Sequence, residues 1–256
     1  MTLMMNLRTT ISGQTDPGMI RNRNEDALAW NEPIHLAVLA DGMGGHNAGD
    51  VASSMALKII QDTLYEQLPR LTRPDSSRQR TDLIHSVIEK ANTRIYQTAQ
   101  ANAEKAGMGA TLALTLFHRD NVIVAHIGDS RVYRLRKHRL KALTHDHSLV
   151  NQLVAQGTMT KEDAKTSRYR NVITRALGHK DRVEPEIRML KTMPQDIYLL
   201  CSDGLYEMMS ERDIRDIVTH HSEDLRAAAR QLIAKANENG GKDNVTAILV
   251  KAEIDY

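Results

Sequence analysis

Four stretches of this chain set a carboxylate beside an apolar run. Leu36-Ala37-Val38-Leu39-Ala40 ends in Asp41-Gly42-Met43-Gly44-Gly45-His46, and Ile197-Tyr198-Leu199-Leu200-Cys201 ends in Ser202-Asp203-Gly204. Val122-Ile123-Val124-Ala125-His126-Ile127 ends in Gly128-Asp129-Ser130, and Gly241-Lys242-Asp243-Asn244 opens the run 245–250. Each run has the length and composition of a buried strand, so each strand end carries an acid. A single Asp-Gly after a strand is ordinarily only a turn. Four such acids meeting at one mouth of a sheet structure would repel and lose hydration, so their convergence predicts bound cations. Gly42 lets the backbone approach a ligand closely, which allows its carbonyl and the Asp41 carboxylate to face one ion.

Carboxylates and a backbone carbonyl are hard oxygen donors, the set suited to Mg²⁺ or Mn²⁺. Two such ions bridged by a water make hydroxide available near neutral pH and clamp the oxygens of an in-line displacement at phosphorus. An arginine beside them would grip a phosphate through two parallel hydrogen bonds. The polar stretch Arg21-Asn22-Arg23-Asn24-Glu25-Asp26 supplies Arg21 or Arg23, and spacing alone also permits either to pair with Glu25 or Asp26.

Other chemistries fit less well. Gly44 and Gly49 have P-loop spacing, but Asp50 stands where the phosphate-binding lysine is required. A cysteine phosphatase needs arginine six residues after its cysteine; here Cys201 is followed at that distance by Glu207, so Cys201 reads as a small buried hydrophobe. The eleven histidines are scattered, and His145-Asp146-His147 alone does not make a zinc site. A formal charge of +2 and the lack of an aromatic-rich basic stretch argue against nucleic acid. A single cysteine excludes an internal disulfide, and no run reaches the roughly 20 apolar residues of a membrane span. The start lacks the apolar core of a signal peptide, so a cytoplasmic location is the expectation.

The elements that must position these acids follow from periodicity. Strands are expected over residues 7–15, 27–30, 110–117, 122–127, 131–135, 139–143, 183–190 and 197–201, with the four in the middle forming an antiparallel meander. Val51, Met55, Ile59 and Ile60 mark a helix over 48–68, and Leu83, Ile84, Val87, Ile88, Ala91 and Ile95 mark a second. Residues 147–156, 211–220 and 225–238 complete the helices, 157–170 is polar without clear periodicity, and no internal repeat appears. The whole chain, 1–256, is expected to be one domain.

Together the motifs resemble the metal-dependent serine/threonine protein phosphatases of type 2C in their compact bacterial form. They are Arg21-x-x-Asn24-Glu25-Asp26, Asp41-Gly42-Met43-Gly44-Gly45-His46, Gly109-Ala110-Thr111, Gly128-Asp129-Ser130-Arg131, Thr144-x-Asp146-His147-Ser148, Ser202-Asp203-Gly204 and Asp243-Asn244. The resemblance implies an α+β fold, a four-layer α/β/β/α sandwich of two antiparallel sheets flanked by helices. By position, Asp41, Asp203 and Asp243 would hold a first metal, while Asp41, the Gly42 carbonyl and Glu25 or Asp26 would hold a second. Arg21 would bind phosphate, and Asp129 resembles a ligand of a third, weaker metal. Residues 157–170 correspond to a flap, where Thr166 or Ser167 would approach that third ion. Animal members carry His directly after the Asp-Gly as a proposed general acid. This chain has Met43, leaving His46 or a metal-bound water as the donor. The implied activity is hydrolysis of phosphoserine and phosphothreonine on proteins through a metal-bridging hydroxide. The implied partners are phosphorylated proteins, among them a serine/threonine kinase or its substrates, met by a monomer. A non-catalytic module binding a phosphoprotein is the rival, and a phosphatase dedicated to one small signalling domain shares the same chemistry.

Overall fold

The computed structural model describes residues 6–44, 48–71 and 77–255 of the chain; Gly45 and His46 lie outside them. One antiparallel sheet has the order β1-β11-β10-β7-β8, formed by β1 (Asn6–Asp16), β7 (Arg131–Arg136), β8 (Arg139–Ala142), β10 (Ile197–Cys201) and β11 (Val245–Asp255). The other has the order β2-β3-β5-β6-β9, formed by β2 (Asp26–Asn31), β3 (Leu36–Met43), β5 (Leu112–His118), β6 (Asn121–Ile127) and β9 (Glu186–Lys191). A short β4 (Gly109–Ala110) pairs with the far end of β3.

Alternation along the strands builds the layers. Leu36, Val38 and Ala40 face one way and pack with α1 (Gly49–Gln67) and α2 (Ser77–Ala101), while Ala37 and Leu39 face the opposite sheet. On β10, Leu199 and Cys201 pack under α5 (Asp203–Tyr206), α6 (Glu211–His220) and α7 (Leu225–Glu238), while Tyr198 and Leu200 point between the sheets. Three apolar layers result, one between the sheets and one beneath each set of helices, which is the α/β/β/α sandwich expected. Cys201 is fully buried among these side chains, and burial pushes its thiol up to about 12, as suits a core residue. Among the described residues no helix is long and apolar enough to cross a membrane.

Two expectations need correction. The strands of the middle region do not form one meander: β5 and β6 pair in one sheet and β7 and β8 in the other, with the chain crossing at Gly128-Asp129-Ser130. That crossing brings Asp129 to the mouth. In α1 the fully buried stripe is Ala52, Ala56, Ile60 and Leu64, with Val51, Met55 and Ile59 only partly buried at its flank. Small alanines let the helix lie close to the sheet, and alanine is a weaker periodic signal than valine or methionine. The segment 157–170 also contains a short helix, α4 (Lys161–Thr166), following α3 (Leu149–Ala155).

Candidate active site

The strand pairing creates the acid cluster. Asp26 opens β2 directly opposite Asp41 on β3, and facing like charges destabilise a strand pair. The next pair on the same face, Leu28 opposite Leu39, packs between the sheets, so both carboxylates point into the same inter-sheet mouth. The other sheet brings Asp203, at the start of α5, and Asp243, just before β11. A cleft of about 840 Å³ is lined by Arg21, Arg23, Glu25, Asp41, Gly42, Asp203 and Asp243.

Polar side chains hold this arrangement across the two sheets. Asp26 Oδ2 accepts hydrogen bonds from Ser202 Oγ (2.8 Å) and Thr246 Oγ1 (2.6 Å). Asn244 Oδ1 accepts from the Glu25 N–H (2.8 Å), and its amide nitrogen donates to the carbonyls of Pro17 (3.0 Å) and Arg23 (2.8 Å). Thr111 is tied to Asp41 both ways: its hydroxyl accepts from the Asp41 N–H (3.0 Å) and its own N–H donates to the Asp41 carbonyl (2.9 Å). Gly42 and Gly49 are close enough that neither admits a side chain. A Cβ on Gly42 would stand 2.1 Å from the Gly49 carbonyl oxygen, and one on Gly49 would stand 2.7 Å from Glu25 Oε2.

Burial and crowding raise Asp41, Asp203, Asp26 and Glu25. Asp41 is held well above the usual carboxylate range by burial, then by the charges of Asp26, Asp203 and Asp129. Asp203 is pushed up to about 8 by burial, then by Asp129 and Asp243. Asp26 rises to about 6 by burial, with its hydroxyl donors opposing, and Glu25 rises through burial and Asp50. Asp26 Oδ1 is buried with no hydrogen-bond partner among the described residues. An orphaned carboxylate oxygen amid rising acids fits a site built for hard divalent cations.

The structure sorts the sequence candidates. Arg21 donates through Nη2 to Asp243 Oδ2 at 2.7 Å rather than pairing with Glu25 or Asp26; Arg23 also lines the cleft. Glu25 faces the cleft, whereas Asp26 lies behind it between the sheets. Asp129 lines an adjoining cavity of about 380 Å³ that shares Asp203 with the cleft, and burial followed by Asp146 raises it to about 6. Tyr206 donates to the Asp129 carbonyl (3.0 Å), and the Arg131 guanidinium, bonded to Asp146 at 2.9 and 2.7 Å, lies over the Tyr206 ring. From the segment 157–170 this cavity is lined by Lys161, Ala164, Lys165 and Arg170, with Asn171 just beyond it. Neither Thr166 nor Ser167 reaches it: Thr166 Oγ1 donates to the Asp163 carbonyl, and Ser167 Oγ accepts from the Tyr169 N–H. Sequence reading passed over Asn171, Ile173 and His179, which also line the cleft. No spacing signal marks them, since the fold alone brings them there.

A second group of titratable side chains, His126, His147 and Glu186, comes close enough to suggest a metal site. Hydrogen bonding speaks against it. His147 Nδ1 accepts from the Gly128 N–H at 3.2 Å, so in the neutral ring Nε2 carries the proton and has no lone pair to give a metal. Burial, then His126, lowers His147 to about 3, which keeps that neutral form. The two rings stack at 4.6 Å, and His126 Nε2 meets the His145 carbonyl at 2.9 Å. The group is a hydrogen-bonded support for the Gly128-Asp129 turn.

Comparison with known proteins agrees with this geometry. The sequence profile described as Protein phosphatase 2C matches residues 21–249. The serine/threonine phosphatase stp of Listeria monocytogenes is 38% identical over 246 residues, covering 94% of this chain and 95% of that protein. The crystal structure of the Mycobacterium tuberculosis serine/threonine phosphatase PstP/Ppp superposes with a TM-score of 0.85 at 33% identity, covering 96% of this chain and 99% of that one. The PstP catalytic domain in complex with two manganese ions gives 0.84 at 32% identity, covering 97% and 100%. The acid mouth between two antiparallel sheets, the profile and these likenesses lead to one conclusion: the chain belongs to the protein phosphatase 2C family, the metal-dependent serine/threonine protein phosphatases in their bacterial form.

Proposed function

We propose that the cleft of this phosphatase holds two divalent cations, Mn²⁺ or Mg²⁺, and hydrolyses phosphoserine and phosphothreonine on proteins. Asp41, Asp203 and Asp243 would hold the first ion, and Asp41, the Gly42 carbonyl and Glu25 the second. The observation that carries this reading is the crowding of buried Asp41 and Asp203 at the cleft, backed by Asp26, whose charges ask for cations. When bound, such ions neutralise phosphoryl charge and acidify water toward neutral pH.

The chain's own residues supply the rest. Arg21 is half-exposed at the cleft, and its bond to Asp243 occupies one of five N–H donors, leaving others to grip a phosphate. Asp26 stands behind the ligands, oriented by Ser202 and Thr246, and places negative charge where it supports them. Asn244 fixes the Glu25 backbone. Asp129, beside Asp203 in the adjoining cavity, would be a ligand for a third, weaker ion, with residues 157–170 as a flap beside it. Residues 1–256 act as one catalytic domain, monomeric and cytoplasmic, on phosphoproteins that include a serine/threonine kinase or its substrates. The manganese-bound PstP neighbour supports the choice of ion. Phosphate release from a phosphothreonine peptide by the metal-loaded protein, abolished by a chelator and restored by Mn²⁺, is the expected result. Tight peptide binding with no release in Mn²⁺ would favour a non-catalytic module instead.

A further inference from the structure

Hydrolysis of a serine or threonine phosphate must deliver a proton to a leaving oxygen more basic than any side chain. Arg21 and Arg23 stay protonated at any accessible pH, and the carboxylates of the cleft are committed to cations. Among the described residues lining the cleft, His179 is the side chain whose ordinary titration lies near neutrality.

Its place is built from three directions. Gly109 stands opposite Met43 in the β3–β4 pair, next to the Gly42 position. The imidazole rests on that glycine: a Cβ there would stand 2.8 Å from its Cδ2 and 2.9 Å from its Nε2. On the N-terminal side, Leu177 and Ala110 exchange backbone hydrogen bonds of 2.8 and 3.1 Å. On both sides acts Asn92 of α2, which is 1% exposed. Its Oδ1 accepts from the Gly178 N–H (2.8 Å), and its Nδ2 donates to the carbonyls of Lys180 and Asp181 (3.1 Å each). A buried amide is costly unless bonded, and here all three bonds go to residues flanking His179. Burial lowers the pKa of the imidazole, which makes its protonated form a stronger acid.

We propose that His179 is the catalytic proton donor to the leaving serine or threonine oxygen, a role that rests on the cleft being the hydrolytic site described above. A water oxygen forms the new bond to phosphorus as the bond from phosphorus to the side-chain oxygen breaks. The departing oxygen takes the proton of the His179 imidazolium, giving the alcohol and inorganic phosphate. The proton from the water passes to solvent, and solvent reprotonates the imidazole.

The test compares wild type with His179→Gln in Mn²⁺ on a phosphothreonine peptide and on p-nitrophenyl phosphate, whose leaving group departs without a proton. His179 is exposed as a residue, with part of its ring against Gly109, so glutamine should be accommodated, and an unchanged melting temperature of the variant checks that the fold is kept. On the peptide kcat should fall about a hundredfold, the low end for general acid catalysis, with KM little changed. On p-nitrophenyl phosphate the loss should be no more than a few-fold. Equal losses on both substrates, or none on the peptide, would overturn the assignment. Failure of the wild type to turn over either substrate would instead refute the hydrolytic reading of the cleft, so the two failures are distinct.

Discussion

Two buried clusters of titratable groups lie a short distance apart, and they solve burial in opposite ways. Around His147 the solution is internal: the ring accepts from Gly128, stacks on His126 and stays neutral. At the mouth between the sheets, Asp26 faces Asp41, Asp203 joins them, and one Asp26 oxygen has no partner among the described residues. A satisfied cluster supports structure. A cluster left short of positive charge, with the surrounding backbone locked in place, marks a place for something from outside. Proximity of ligand-type atoms does not tell the two apart; the bookkeeping of lone pairs and protons does.

Breaking the unsatisfied side should have the largest effect. Asp41→Asn is expected to lower kcat about a thousandfold or more, on the scale of losing preorganised charge stabilisation, while the metal-free protein melts no lower than wild type because a repelling charge is gone. Calorimetric melting beside a turnover assay checks both halves. Next comes the support behind the ligands. Ser202→Ala removes a donor to Asp26 and the acceptor of the Thr246 N–H, and is expected to weaken Mn²⁺ binding about 10- to 100-fold, read by titration calorimetry.

The satisfied side should respond differently. His147→Leu leaves the Gly128 N–H buried without its acceptor and should cost about 1–3 kcal/mol of stability, by the same amount in Mn²⁺ and in chelator. A loss seen only in Mn²⁺ would make His147 part of the ion site. A pH series sharpens the contrast further. Asp203 titrates at about 8 in the fold against a reference of 3.8, so between those values the folded, metal-free chain holds more protons than the unfolded one. Its stability should therefore fall as pH rises from about 4 to about 8 and level off above. Melting temperature in chelator should fall steadily across that range, and saturating Mn²⁺ should remove the slope.

Much of this was legible in the sequence because it is local. Continuous apolar runs that stop at Asp41, Asp129 and Asp203 mark the ends of buried strands directly, and Cys201 closes one of them. The layers followed from resemblance and were borne out. What the sequence does not carry is pairing. That Asp26 faces Asp41, that Ser202 and Thr246 reach across from the other sheet, and that Arg21 turns to Asp243 all depend on which strands lie side by side. The same holds for the crossing at Gly128-Asp129-Ser130: two hairpins in separate sheets have the same alternation as one meander. His179 and Asn92 are likewise far apart in sequence, and their clamp exists only in the folded chain.

The most direct measurement is a titration of Mn²⁺ into metal-free wild type, Asp41→Asn and His147→Leu, with the heat read in buffers of different ionisation enthalpy. Wild type and His147→Leu should both take up the ions with release of protons, since carboxylates held above their usual range must ionise to bind, and Asp41→Asn should lose that uptake. Undiminished binding by Asp41→Asn together with loss in His147→Leu would place the ions in the histidine cluster and contradict the assignment of the acid mouth as the metal centre.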